Sequence, residues 1–235
     1  MINARHHLHP GTVLALSLSI LAAGTCPALV YSIDGGTAAA ALGDTNPGWS
    51  AAAINHFTVV AGGQNITSVS VLFGANPTAP PDNLAGGEPF TVAVWSDPNG
   101  DGNPNDAALL GSATGVITVF NDNVTFQATP IVALGLSVGQ SFFAGVYYQS
   151  YPANVLPQAV SAAGGSPAEA WLAYHPSGVL NLNSLGTSPV LANFGTTVGN
   201  PNVIPMVRVT GVPESGTLAL AGLAASGLLR RRRQR

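Results

Sequence analysis

The chain contains no lysine, and its one cysteine, Cys26, stands near the N-terminus. A single thiol cannot close a disulfide within the chain, so a folded domain here has to hold together by core burial. All seven cations are arginines: Arg5, Arg208 and five among the last six residues. Residues 33–211 therefore carry one arginine against nine acids, a net of −8, although the whole chain averages −3. A body so poor in cations cannot neutralise a phosphate backbone, which excludes nucleic acid as a partner and argues against phosphorylated substrates. The body also has only two histidines, His56 and His175, too few for a zinc centre without cysteine; both read as solvated strand ends. No stretch of it carries a capped apolar stripe at helical spacing.

What is present is strand and turn chemistry. The chain has 28 glycines and 18 prolines, is 46% hydrophobic and only 7% charged. Short alternating apolar runs are separated by Gly, Pro, Asn and Asp clusters. Residues 56–60 and 66–73 flank a Gly62-Gly63-Gln64-Asn65 turn. In the second run Val69, Val71 and Phe73 point one way, and Ser68, Ser70 and Leu72 the other. Phe90, Val92 and Val94 share one face of the run 90–95. Runs at 108–119, 124–131, 142–148, 170–174 and 203–210 complete the set. The run 142–148 is apolar or aromatic on both faces, which predicts a central strand covered on both sides. The pattern predicts one antiparallel β-sandwich over residues 33–211, jelly-roll or immunoglobulin-like, of about eight to ten strands. The long polar segments 75–87 and 176–202 are expected to be surface loops.

Both ends read as export signals. Residues 1–10 carry Arg5, His6, His7 and His9 without an acid, and residues 12–23 are apolar apart from serines. That is the pattern of a secretory signal peptide, predicted over residues 1–32 with a cut after Ala28 or Ser32. At the other end Val212-Pro213-Glu214-Ser215 leads into an apolar run, 217–229, and then into Arg230, Arg231, Arg232, Arg233, Gln234 and Arg235. The uninterrupted run gives about 20 Å of helix. Counted from Val212 it reaches about 18 residues, a marginal span. Arginines beside a membrane segment stay cytoplasmic, so the body would lie outside. This order of parts resembles the PEP-CTERM sorting tail of bacterial exported proteins, with Ser215 where the second proline of that signature stands. The resemblance covers residues 212–235 alone. It implies recognition by an exosortase-type membrane enzyme through Val212, Pro213, Glu214 and the arginines Arg230 to Arg233. It also implies transient anchoring by the C-terminal helix and delivery to the cell surface or the extracellular polysaccharide matrix.

The most chemically suggestive stretch of the body is Asp97-Pro98-Asn99-Gly100-Asp101-Gly102-Asn103-Pro104-Asn105-Asp106. Oxygen side chains at Asp97, Asn99 and Asp101, followed by Gly102 for a sharp turn, match the opening of a calcium loop, and Asp106 could add a ligand. The twelfth position is Ala108 rather than glutamate and the flanks are strands, so an EF-hand is excluded. The same Asp-Pro, Asn-Gly and Asp-Gly pairs also make a metal-free turn.

Signs of catalysis are thin. Gly135-Leu136-Ser137-Val138-Gly139 matches a nucleophile elbow in form, but strand-like residues follow it where a helix is needed. Glu88 and Glu169 could serve a glycosidase only as an apposed pair, and nothing in the sequence pairs them. Trp49, Trp95, Trp171, Tyr147, Tyr148 and Tyr151 could stack on sugar rings, with core packing as the default for most. Arg208 should turn away from Val207 and Val209 and pair with an acid. The expectation is a non-enzymatic, exported surface or matrix protein with a structural or adhesive role. A carbohydrate-binding module is the alternative, and a secreted hydrolase a third.

Overall fold

Period-two alternation of buried and exposed side chains, punctuated by glycine and proline, decides where the strands run. The computed structural model describes residues 27–75, 82–162 and 166–214, and structural statements below refer to these. Most of the expected signal peptide and the tail from Ser215 onward, with Arg230, Arg231, Arg232 and Arg233, lie outside the described residues. Among the described residues no helix is long and apolar enough to cross a membrane.

The elements in chain order are β1 (Leu29–Tyr31), β2 (Ala40–Leu42), β3 (Trp49–Thr58), β4 (Asn65–Val71), β5 (Pro89–Ser96), β6 (Ala108–Val116) and β7 (Gln127–Ala133). They continue with β8 (Ser141–Tyr151), β9 (Gln158–Ser161), β10 (Ala170–His175), β11 (Val190–Asn193), α1 (Phe194–Thr197), β12 (Ile204–Pro205) and β13 (Val207–Val212). They form a four-stranded sheet in the order β1-β13-β4-β7, a six-stranded sheet β11-β10-β3-β8-β5-β6 and a three-stranded sheet β12-β9-β2. The pairings are antiparallel throughout. The all-β, antiparallel expectation holds.

The two larger sheets share one apolar core. Val69, Val71, Ile131, Val207 and Val209 of the four-stranded sheet cluster with Ala53, Val92, Val94, Phe142 and Val146 of the six-stranded sheet. Each of these valine, isoleucine and phenylalanine side chains contributes on the order of 1.5–3 kcal/mol by leaving water. Strand β8 lies between β3 and β5, and its run from Phe142 to Tyr148 is buried on both faces, as its two-sided composition predicted. A second cluster covers the opposite face of the same sheet: Ile54, Trp95, Phe143 and Tyr147 under Leu180 and Leu185.

That cover corrects one expectation. Segment 176–202 is not merely a surface loop. It buries Leu180, Leu185 and Phe194, carries β11 and α1, and its backbone takes hydrogen bonds from below. The sequence hid this because the buried Leu180, Leu185 and Phe194 are separated by Asn, Ser, Gly and Thr, and the short run Val179 to Leu182 is too brief to announce an element.

The N-terminal edge starts earlier than residue 33. Strand β1 pairs with β13, and Tyr31 is buried, its ring edge-on to Phe142 at 5.2 Å. The Tyr31 hydroxyl donates to Gly63 O at 3.1 Å and accepts from Val60 N at 3.2 Å. A cut after Ser32 would remove this strand, whereas a cut after Ala28 would keep it. At the other edge β13 runs through Val212, which pairs with Asn65, and the Asn65 side chain donates to Pro213 O at 3.2 Å.

Candidate functional site: an acidic loop and an aromatic cleft

The loop between β5 and β6 folds around its first aspartate. Asp97 is 3% exposed; Oδ1 accepts from Gly100 N and Oδ2 from Gly102 N, each at 2.9 Å. Asn99 Oδ1 accepts from Asp101 N at 2.9 Å, and Asn99 Nδ2 donates to Asp101 Oδ2 at 3.1 Å. Asp101 Oδ1 accepts from Asn103 N at 2.7 Å, and Asn103 caps the 3-10 turn Pro104–Asp106 by accepting from Asn105 N at 3.1 Å. This ladder of side-chain turns is local and follows from the Asn/Asp spacing. Its result is that one carboxylate oxygen from each of Asp97, Asp101 and Asp106 lies within 4.8 Å of the others. Three of the four expected ligands thus converge, and Asn99 is tied to Asp101.

His56 joins this site, which the sequence reading missed. It is not a solvated strand end: its side chain is 13% exposed and its ring packs on Phe143 at 5.1 Å. Sheet register puts it there, because Ala170 lies opposite Asn55 and so carries Glu169 next to His56. His56 Nδ1 donates to Glu169 Oε2, and Nε2 lies 3.9 Å from Asp97 Oδ2. The partners are 113 residues apart, and no local signal announces the pair.

On the other face of the six-stranded sheet lies a cleft of about 350 Å³. Its walls come from Leu42, Asp44, Trp49, Tyr148, Gln158, Leu172, Tyr174, Phe194 and Thr197, contributed by six separate segments. Trp49 is held by donating Nε1 to Pro152 O at 3.2 Å, with Tyr151 5.4 Å from its ring. At the floor the Tyr148 hydroxyl donates to Gln158 Oε1 at 3.1 Å. Burial pushes the Tyr148 phenol well above its ordinary range. Toward the mouth the Tyr174 hydroxyl donates to Asp44 Oδ2, while Asp44 Oδ1 accepts from Asn46 N at 2.8 Å. Desolvation and then the Asp44 carboxylate raise Tyr174 to about 12. Desolvation acts against Asp44 ionising, but hydrogen bonds from Tyr174, Asn46 and Thr45 outweigh it and hold the carboxyl below its ordinary value. Tyr174 thus remains a hydrogen-bond donor and Asp44 an acceptor across the physiological range.

Of the six aromatic residues singled out by sequence, Trp49 and Tyr148 line the cleft. Trp95 is fully buried on the opposite face, donating Nε1 to Leu182 O at 2.7 Å. The Tyr147 hydroxyl accepts from Leu180 N at 3.3 Å, and Tyr151 donates to Pro89 O at 2.7 Å. Trp171 lies half-buried outside the cleft lining. Ser137 sits in the turn before β8, where its N–H donates to Gln140 Oε1 at 3.1 Å. Arg208 does pair with an acid: Nε and Nη2 both donate to Asp34, at 3.0 and 2.5 Å, beneath the Phe126 ring at 4.0 Å.

No protein-family model matches this chain, and no curated protein is detectably similar to it.

Proposed function

We propose that this chain is an exported, non-enzymatic β-sandwich of jelly-roll type that holds a saccharide in the Asp44–Tyr174 cleft, as an adhesive component of the cell surface or the extracellular polysaccharide matrix. The cleft carries the reading. The half-buried Tyr174 ring, backed by the buried Trp49, Tyr148 and Phe194, suits the apolar face of a sugar ring, and Asp44 and Thr197 suit its hydroxyls. The lack of any basic side chain in the lining disfavours anionic ligands.

The jelly-roll assignment rests on strand order. Taken in sequence, β1, β3, β4, β5, β6, β7, β8 and β13 are laid out first-eighth-third-sixth in one sheet and second-seventh-fourth-fifth in the other. That alternation between sheets is two Greek keys. An immunoglobulin-like chain would keep its first two strands in one sheet. The Asp97, Asn99, Asp101 and Asp106 loop is read as a structural calcium site, which suits a domain without disulfides because an ion bound only by the folded state stabilises it.

Export rests on the two termini: a signal peptide cut after Ala28, and a PEP-CTERM-like tail handled by an exosortase-type enzyme. The test of binding is an oligosaccharide array followed by calorimetry on the exported protein. Binding should occur and should be lost in Tyr174→Ala. Equal binding by wild type and variant removes the cleft from the account. Comparing mass and cell fraction with and without residues 212–235 tests the sorting; an unchanged, unprocessed product in the cytosol refutes it.

A further inference from the structure

Away from both sites, two buried oxygens are left facing one another without a donor. Asp82 is 4% exposed. Its Oδ1 accepts from Leu84 N at 3.2 Å and from Asn121 Nδ2 at 3.0 Å, while Oδ2 is buried with no partner. The bond from Nδ2 fixes the Asn121 amide, since the flipped amide would set oxygen against carboxylate. Asn121 Oδ1 is then also buried without a donor. Both oxygens aim at the same space. A Cβ built on Gly74 would lie 2.0 Å from Asn121 Oδ1 and 2.5 Å from Asp82 Oδ2, so any side chain at residue 74 would collide with both oxygens.

Two converging acceptors repel unless something positive stands between them, and a buried carboxylate needs a compensating charge. No side chain provides it. Among the described residues the one arginine, Arg208, is engaged by Asp34. We propose that Asp82 Oδ2 and Asn121 Oδ1 are ligands of a divalent cation of the calcium class, held over Gly74 and separate from the Asp97 loop. A carboxylate oxygen and a neutral amide oxygen are hard donors of the kind calcium takes, two of the roughly six to eight oxygens it gathers. The backbone is tied together at the same place: Gly74 N donates to Pro157 O at 3.0 Å, Leu156 N to Asp82 O at 2.8 Å, and Asn121 N to Phe73 O at 3.0 Å. Phe73 also bridges to Gln158 of the cleft floor. The ion would therefore brace three chain segments behind the cleft.

Calcium titrated calorimetrically into the full exported protein, and into its Asp97→Asn and Asp82→Asn variants, tests this. Asp97→Asn should still bind one calcium and still melt higher with it, and adding Asp82→Asn should abolish both effects. In chelator, Asp82→Asn should melt no lower than wild type, because it removes an uncompensated charge. Asn121→Ala should weaken calcium binding by about tenfold or more. If the Asp97 loop holds no ion, wild type binds one calcium and Asp82→Asn alone loses it, which leaves this site standing. An Asp97→Asn protein that binds no calcium, or an Asp82→Asn protein that binds as wild type does, overturns the proposal.

Discussion

The six-stranded sheet carries a different kind of chemistry on each face. On the outer face, Trp95 is sealed beneath Leu180, Leu182 and Leu185 and bonds to the Leu182 carbonyl, and beside it the Asp97 loop folds around its own buried carboxylate. On the inner face, near β10, the sheet parts from β2, β9 and α1, and the polar groups of Asp44 and Tyr174 stand at an open mouth. The outer arrangement is built around a continuous ten-residue loop; the inner one is collected from residues 42 to 198. A ligand group that fixes its own geometry locally reads as a stability device, whereas groups gathered from distant segments around an opening read as a recognition surface.

Substitutions should separate the two faces. The largest effect is expected for Trp95→Ala, which leaves a large cavity under the covering segment and strands Leu182 O; about 4 kcal/mol should be lost in urea unfolding. A Trp95→Ala protein of normal stability would show the outer cover to be dispensable. Asp97→Ala removes the acceptor of two loop N–H groups and should cost about 2–3 kcal/mol. Calcium should raise its melting temperature by less than it raises that of wild type, whereas saccharide binding should survive.

Tyr174→Phe acts on the other face. It deletes one hydroxyl at the cleft mouth, so saccharide affinity should fall about tenfold while stability at neutral pH changes by less than about 1 kcal/mol. The pH dependence has a definite sign. Asp44 is held below its ordinary value of 3.8, so its contribution is present above that pH and is lost as pH falls through the lower folded value. Tyr174 is raised from 10.0 to about 12, so its contribution is full below pH 10 and fades as pH rises toward 12. Asp44→Asn should flatten the acid limb of the unfolding free energy relative to wild type. Parallel acid limbs would mean that the Asp44–Tyr174 contact contributes nothing in solution.

The smallest effect concerns neither face but the exit of the chain. Asn65→Ala frees Pro213 O and should cost less than about 1 kcal/mol. It should nevertheless speed limited proteolysis between Val212 and Glu214, because the strand end loses its clamp. An unchanged cleavage rate would show that the sheet does not restrain the start of the tail.

How much was legible depends on how far each feature reaches along the chain. Strands β5, β8 and β10 announce themselves by alternation or by two-sided apolar runs, and the Asp97 loop by residues that bond to backbone two to five positions on. Strands β1, β2, β9 and β11 did not, being three or four residues long and stabilised by the strand opposite rather than by their own pattern. His56 looked solvated until register placed Glu169 beside it. Trp95 looked available for a ligand until segment 176–189 closed over it.

The sequence by itself determined the all-β class, the acidic and lysine-free body, the central place of β8 and the ladder of turns from Asp97 to Asp106. All of these follow from composition and from interactions between near neighbours. Tertiary structure alone decided which aromatic rings line a cleft, which histidine meets a carboxylate, and where Asp82 and Asn121 converge over Gly74. Each of those depends on segments brought together across tens of residues, and that meeting is fixed by sheet order and register, which no local pattern encodes.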